Sequence, residues 1–190
     1  MVQVNSQDLI KMRKSLDAGL GKSKKIRQLP IGGKVEIIRN HSGVYLFGIA
    51  CVAVLNRVNE IDSRALFDDF IYRQKMNNQW PSMLFGHVPQ LRIGQVTQTF
   101  RQDFTYIAIA KFDLTNRLAR MLINDIENEA NYWGMSVGYI PHDKPELVRV
   151  QDDQFVECYN SGSNHEISIV PEAHAASHFT GFNLMKGVKK

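Results

Sequence analysis

From residue 34 onward, apolar and polar positions alternate mostly with a period of two, the signature of half-buried strands. Residues 35–39 form a short β run, and His41-Ser42-Gly43 reads as a turn. Residues 44–55, rich in Val, Ile, Tyr and Phe, predict one or two strands bent at Gly48. Residues 56–62 read as a polar loop. Leu66, Phe70 and Ile71 fall at helical spacing within 63–76. Residues 83–85 form a strand leading into Gly86-His87, and Val88-Pro89-Gln90 reads as the turn that follows. A strand from Arg92 to Phe100 and a second over 104–112 flank Arg101-Gln102-Asp103, which predicts an antiparallel hairpin. The clearest helix covers 115–132, with Leu118, Leu122 and Ile126 four apart and Met121 on the same side.

That helix delivers the chain into Gly134-Met135-Ser136-Val137-Gly138-Tyr139-Ile140-Pro141. As a strand, this stretch puts Met135, Val137 and Tyr139 on one face and Ser136, Gly138 and Ile140 on the other. Gly138 keeps the second face low, so a substrate can approach the Ser136 hydroxyl. Residues 147–150 and 154–159 predict a hairpin across Asp152-Asp153, and Ser161-Gly162-Ser163 reads as a turn. A strand over 166–170 ends at Pro171, and 172–178 reads as a short helix. Many short antiparallel strands with few helices predict an α+β fold, a mainly antiparallel β-barrel or wrapped sheet flanked by helices.

Charge separates the ends from this folded part. Residues 1–40 carry nine Lys/Arg against three Asp/Glu, so the net charge of +4 is a property of the N-terminal segment. Residues 1–33 read as a flexible basic leader, 34–180 as the folded domain and 181–190 as a basic tail. A basic arm suits nucleic acid or an acidic partner, and a solvated leader is the plainer reading. The longest apolar run, 44–55, is far short of a membrane helix, and no secretory signal opens the chain. Cys51 and Cys158 are isolated within apparent strands, which predicts reduced, buried thiols and a cytosolic setting.

A serine nucleophile needs a base within hydrogen-bond reach and a third group to orient that base. Among the six histidines, His87 is best placed as the base, since it ends an apolar strand beside Gly86. Across 165–170, Ile167 and Ile169 share a face with His165, and Ser168 shares one with Glu166. Isoleucines turned to the core leave Glu166 on the polar side, which favours it as the orienting acid. Metal ligation by His174 and His178, four apart, with His142, Asp143 or His165, is a weaker alternative, because no HExxH or CxxC motif supports it. Neither GxxxxGK[ST] nor GxGxxG is present.

Taken in order, three blocks resemble the prohead (capsid maturation) serine proteases of tailed phages, whose fold is similar to herpesvirus assemblin. They are MLFGHVPQLRIGQV at 83–96, GMSVGYIP at 134–141 and HEISIVPEAHA at 165–175, and with YLFGIACVAVLNRVNEID they span roughly 35–180. The resemblance implies Ser136 as nucleophile, His87 as general base and Glu166 as third member, with His165 the alternative because assemblins use a second His. It implies oxyanion donors at the backbone of His174 and Ala175, although Pro171-Glu172-Ala173-His174 replaces the family's small-residue run there. It further implies no cofactor and no metal, and scaffold and major capsid protein as substrates inside the assembling procapsid in the host cytoplasm. Self-cleavage, homo-oligomerisation and nucleic-acid binding through the leader remain open. A non-enzymatic scaffold-binding protein of the same fold is the alternative reading.

Overall fold

A computed structural model describes residues 36–40, 43–128, 133–151, 153–177 and 180. The leader at 1–33 and the tail at 181–190 lie outside the described residues. The strands are β1 (Glu36–Asn40), β2 (Gly43–Val52), β3 (Glu60–Asp62), β4 (Ser82–Phe85), β5 (Val88–Gln102), β6 (Thr105–Phe112), β7 (Trp133–Pro141), β8 (Glu146–Gln151), β9 (Gln154–Tyr159) and β10 (Gly162–Pro171). Helix α1 (Arg64–Asn77) follows β3, and helix α2 (Arg117–Glu127) follows β6. Seven strands form one curled sheet in the order β1-β2-β6-β5-β4-β10-β7, and β3-β9-β8 form a second. The large sheet is a half-barrel, and one ladder in each sheet, β4–β10 and β3–β9, is parallel rather than antiparallel.

The main core lies between one face of the large sheet and the helix that covers it. Leu46, Met83, Ile93, Val96, Tyr106, Met135, Ile167 and Ile169 are fully buried there. Helix α1 covers them with Leu66, Phe67 and Phe70, and Phe67 stacks on Tyr106 at 5.3 Å between ring centroids. Burial of three large side chains at about 1.5–3 kcal/mol each makes this the dominant local stabilisation. Gln74, buried on the same helix, is satisfied by the Tyr106 hydroxyl at 2.9 Å and by the Thr99 hydroxyl. Ser63 caps the helix by accepting from the Leu66 N–H at 3.2 Å. Asn78 ends it in the left-handed conformation.

Helix α1 is also tied to the start of β10. Asp69 Oδ2 accepts from the Ser161 hydroxyl at 2.9 Å and the Gly162 N–H at 3.0 Å. Burial raises the Asp69 pKa, but the hydrogen bonds from Gly162, Arg73 and Ser161 outweigh it and the net shift is downward. The carboxylate therefore stays ionised and fixes where β10 begins.

Several expected elements are placed differently. Residues 60–62, expected in a loop, form β3, because Glu60–Asp62 find a parallel partner in Glu157–Tyr159. The strand over 43–52 is single, and its irregularity falls between Ile49 and Cys51, not at Gly48. Gly162, expected in a turn, already pairs with Pro141 at the start of β10. Met121 is 58% exposed, and Ala119, Leu122 and Ile123 form the buried stripe of α2 instead. The expected helix at 172–178 is a single 3-10 turn, Glu172–His174. Among the described residues no helix is long and apolar enough to cross a membrane.

Candidate active site

The site grows from the β4–β5 connection. Phe85 pairs with Val88, so Gly86 and His87 are the whole turn, and the expected turn at Val88-Pro89-Gln90 belongs to β5. Both turn residues have positive φ, 63° at Gly86 and 59° at His87, as a type I′ two-residue hairpin requires. Glycine adopts this freely, and histidine is among the few other residues enriched there. Gly86 at the end of a β run is the local signal for this turn, and Pro89, which reads as a turn residue, lies inside β5 instead.

Backbone contacts to β10 hold this turn. The Gly86 N–H donates to the Ile169 carbonyl at 3.0 Å, one step beyond the last β4–β10 pair. The His87 N–H donates to the Ser168 hydroxyl at 2.9 Å. Ser168 is completely buried, and its own proton goes to Glu166 Oε2 at 2.6 Å. The other carboxylate oxygen, Oε1, meets His87 Nδ1 at 2.6 Å. A carboxylate can only accept, so Nδ1 carries the proton and Nε2 presents its lone pair.

Strand faces explain why these groups meet. Ile167 and Ile169 point into the core, so Glu166 and Ser168 stand on the opposite face of β10. In the antiparallel register with β7, Glu166 faces Gly138 and Ser168 faces Ser136. Directly paired side chains lie on one face with Cβ atoms about 4.5–5.5 Å apart. A Cβ on Gly138 would sit 1.9 Å from Glu166 Oε1. The space above Gly138 therefore holds the Glu166 carboxylate and is not an open approach to Ser136. Ser136 itself is 5% exposed, and its hydroxyl makes no hydrogen bond to a described residue.

The His87 side chain is 43% exposed and that of Glu166 14%. The hydrogen bond to Glu166 raises the His87 pKa above its ordinary 6.5, with burial opposing and the carboxylate charge adding to the rise. The arrangement is that of an imidazole with one nitrogen fixed by a carboxylate and the other free to take a proton.

The remaining candidates lie elsewhere. The β7–β10 register jumps between Asn164 and Glu166, leaving His165 as the extra residue of a bulge. His165 is exposed and borders a cavity of about 80 Å³ with Phe70, Arg73 and Trp80, away from His87. His174 closes the 3-10 turn, and Ala175 is buried with its carbonyl accepting from the Arg57 guanidinium at 2.9 Å. That turn packs on β7. His142 bonds the Ser163 hydroxyl at 2.8 Å, and His178 lies outside the described residues. Among the described residues no three His, Cys, Asp or Glu side chains are grouped to hold a metal. Cys51 and Cys158 are free and buried, and burial followed by the charge of Asp62 pushes the Cys51 thiol well up.

The sequence matches no protein-family model and no curated protein. The fold is similar to the solved structure of the bacteriophage T4 capsid assembly protease, gp21. The TM-score is 0.53 at 16% identity, covering 74% of this chain and 93% of the other. The half-barrel that carries His87, Ser136 and Glu166 is thus a fold shared with a phage capsid protease.

Proposed function

We propose that this chain is a serine endopeptidase of phage capsid maturation, cleaving scaffold and capsid-protein segments within the procapsid. The observation that carries this reading is the 2.6 Å bond from His87 Nδ1 to Glu166 on the strand face that also holds Ser136. The likeness of fold to a capsid assembly protease supports the substrate class.

In the proposed reaction Ser136 Oγ attacks a peptide carbonyl carbon while its proton passes to His87 Nε2. The tetrahedral oxyanion is met by the backbone N–H groups of His174 and Ala175. Collapse breaks the C–N bond as His87 returns the proton to the leaving amine, and an acyl-enzyme remains. Water, deprotonated by the same nitrogen, then releases the acyl group. Glu166 keeps the imidazole in the required tautomer and stabilises the imidazolium. Base catalysis contributes about 10²–10⁴-fold and a working oxyanion donor about 10²–10³-fold.

The test is Ser136→Ala. The variant is expected to fold normally and to lose about 10⁶ in turnover, measured on purified scaffold or on processing of the chain itself. Near-normal processing refutes the reading. The low exposure of Ser136 favours one other reading, a scaffold-binding protein of the same fold without turnover. Labelling of Ser136 by a fluorophosphonate rejects that alternative.

A further inference from the structure

Two serines face each other across β7 and β10, and their hydroxyls are in opposite situations. Ser136 has no hydrogen bond to a described residue, whereas both hydrogen-bonding roles of Ser168 are taken. Ser168 accepts from the backbone N–H of the residue proposed as base and donates to the carboxylate proposed to orient it. We propose that Ser168 is the positioning residue of this site, one hydroxyl that sets His87 and Glu166 relative to each other and to Ser136.

The need for such a residue follows from the local geometry. His87 sits at the tip of a hairpin in the left-handed region, a conformation that disfavours a non-glycine residue. Its side chain is nearly half exposed, so packing alone does not hold the ring. The Glu166 carboxylate can rotate, and one hydrogen bond to Nδ1 leaves that rotation undetermined. The bond from Ser168 to Oε2 fixes the second oxygen and with it the carboxylate plane. The bond from His87 N–H to the same hydroxyl fixes the turn over β10. Ser168 is completely buried between the core residues Ile167 and Ile169 of a strand paired on both sides, so the anchor has little freedom to move. Ser168 is not the attacking group here: its proton is committed to Glu166, and its lone pair to a backbone N–H.

This inference rests on the acyl-transfer reading for its effect on rate, and its geometric content can be tested separately. The probe is a fluorophosphonate, with which Ser136 Oγ forms a P–O bond as the P–F bond breaks and fluoride leaves. The proton passes to His87. Labelling is followed by intact mass, and the site is mapped by peptide mass, in wild type, Ser136→Ala, Ser168→Ala, Ser168→Thr and Ser168→Val. Threonine and valine match in shape and differ by the hydroxyl. In parallel, proton NMR follows the low-field Nδ1–H resonance of the His87–Glu166 bond.

Ala and Val at 168 are expected to slow Ser136 labelling by about 10- to 100-fold, as misplacement of reacting groups by about 1 Å does. Both should lose the low-field resonance. Threonine should restore the resonance and bring the rate to within about threefold of wild type. Wild-type labelling and an intact resonance in Ser168→Ala overturn the proposal, as does a label found on Ser168. A wild type that is not labelled at Ser136 refutes the acyl-transfer reading instead. The NMR comparison of Thr with Val and Ala then still decides whether Ser168 positions the pair. A purely structural role would lower the melting temperature of all three variants and leave the resonance in each folded protein.

Discussion

Replacing Gly138 by alanine adds a single carbon at the most crowded point of the site. That carbon would lie 1.9 Å from Glu166 Oε1, 2.7 Å from Cδ and 2.9 Å from Cγ. Ordinary contacts between such atoms are about 3.5–4.0 Å, so something must move by about 1 Å or more. The backbones are poorly placed to yield. The β7–β10 ladder runs unbroken from Gly138 to Trp133, resumes at Tyr139 beyond the bulge at His165, and is anchored in the core by Ile167 and Met135. The Glu166 side chain yields instead, and its 2.6 Å bond to His87 lengthens beyond hydrogen-bonding distance. Overpacking of this kind costs about 1–3 kcal/mol of stability. Loss of the orienting carboxylate should lower the rate of Ser136 labelling by a fluorophosphonate by about 10²–10⁴-fold. A thermodynamic cycle isolates the cause. In a Glu166→Ala background the added methyl meets no carboxylate, so Gly138→Ala should have little further effect there. Wild-type labelling by Gly138→Ala, or an equal loss in both backgrounds, would refute the argument.

Two further outcomes follow from the same contacts. Glu166→Gln removes the charge and the strong acceptor that raise the His87 pKa above 6.5. The base must be neutral to act, so the acid limb of the pH–rate profile should move to lower pH in this variant while the maximal rate falls about 10²–10⁴-fold. For stability the sign is reversed. A raised His pKa contributes stability that is fully present below 6.5 and is lost as pH rises through the His87 value, so urea midpoints of wild type and Glu166→Gln should converge as the pH rises through that window. An unchanged profile would show that Glu166 does not tune the base. In the core, Phe67→Ala removes a fully buried ring stacked on Tyr106. It should cost about 3–5 kcal/mol by urea denaturation, with the labelling rate of the folded fraction unchanged. A loss under about 1 kcal/mol would show that α1 does not hold the sheet as described.

Much of the local structure was legible because period-two patterning assigns faces. The alternation across 165–170 was enough to put Ile167 and Ile169 in the core and Glu166 and Ser168 opposite them. Helix α1 is legible from Leu66, Phe70 and Ile71 at helical spacing. The helix after β6 was read too generously: Met121 lies at helical spacing from buried neighbours, yet it faces away from the sheet. Spacing gives an apolar stripe but not its centre, and tertiary contact with β1 and β5 decides which side is covered. The missing side chain of Gly138 suggested an open strand face, and only the register with β10 reveals that Glu166 fills the space.

Partner choice between strands is what a single sequence conceals. His87 and Glu166 are 79 residues apart, and they meet because β10 pairs in two senses at once. Its parallel ladder with β4 carries the end of β4, and hence the Gly86–His87 turn, up to Ile169 and Ser168. Its antiparallel ladder with β7 sets Ser136 opposite Ser168 and Gly138 opposite Glu166. Had β4 paired antiparallel, its opposite end would have lain beside Ile169, and His87 would have projected several residues away along β10. The parallel pairing therefore brings His87 to Glu166. The bulge at His165 matters for the same reason: one extra residue in β10 turns His165 out to solvent and sets Glu166 back in register with Gly138. Removing the bulge by deleting His165 would leave Asn164 opposite Tyr139 and Glu166 opposite Gly138, so every other residue of β10 keeps its face, and Glu166 and Ser168 stay in place because residues 166–169 are paired with both β4 and β7.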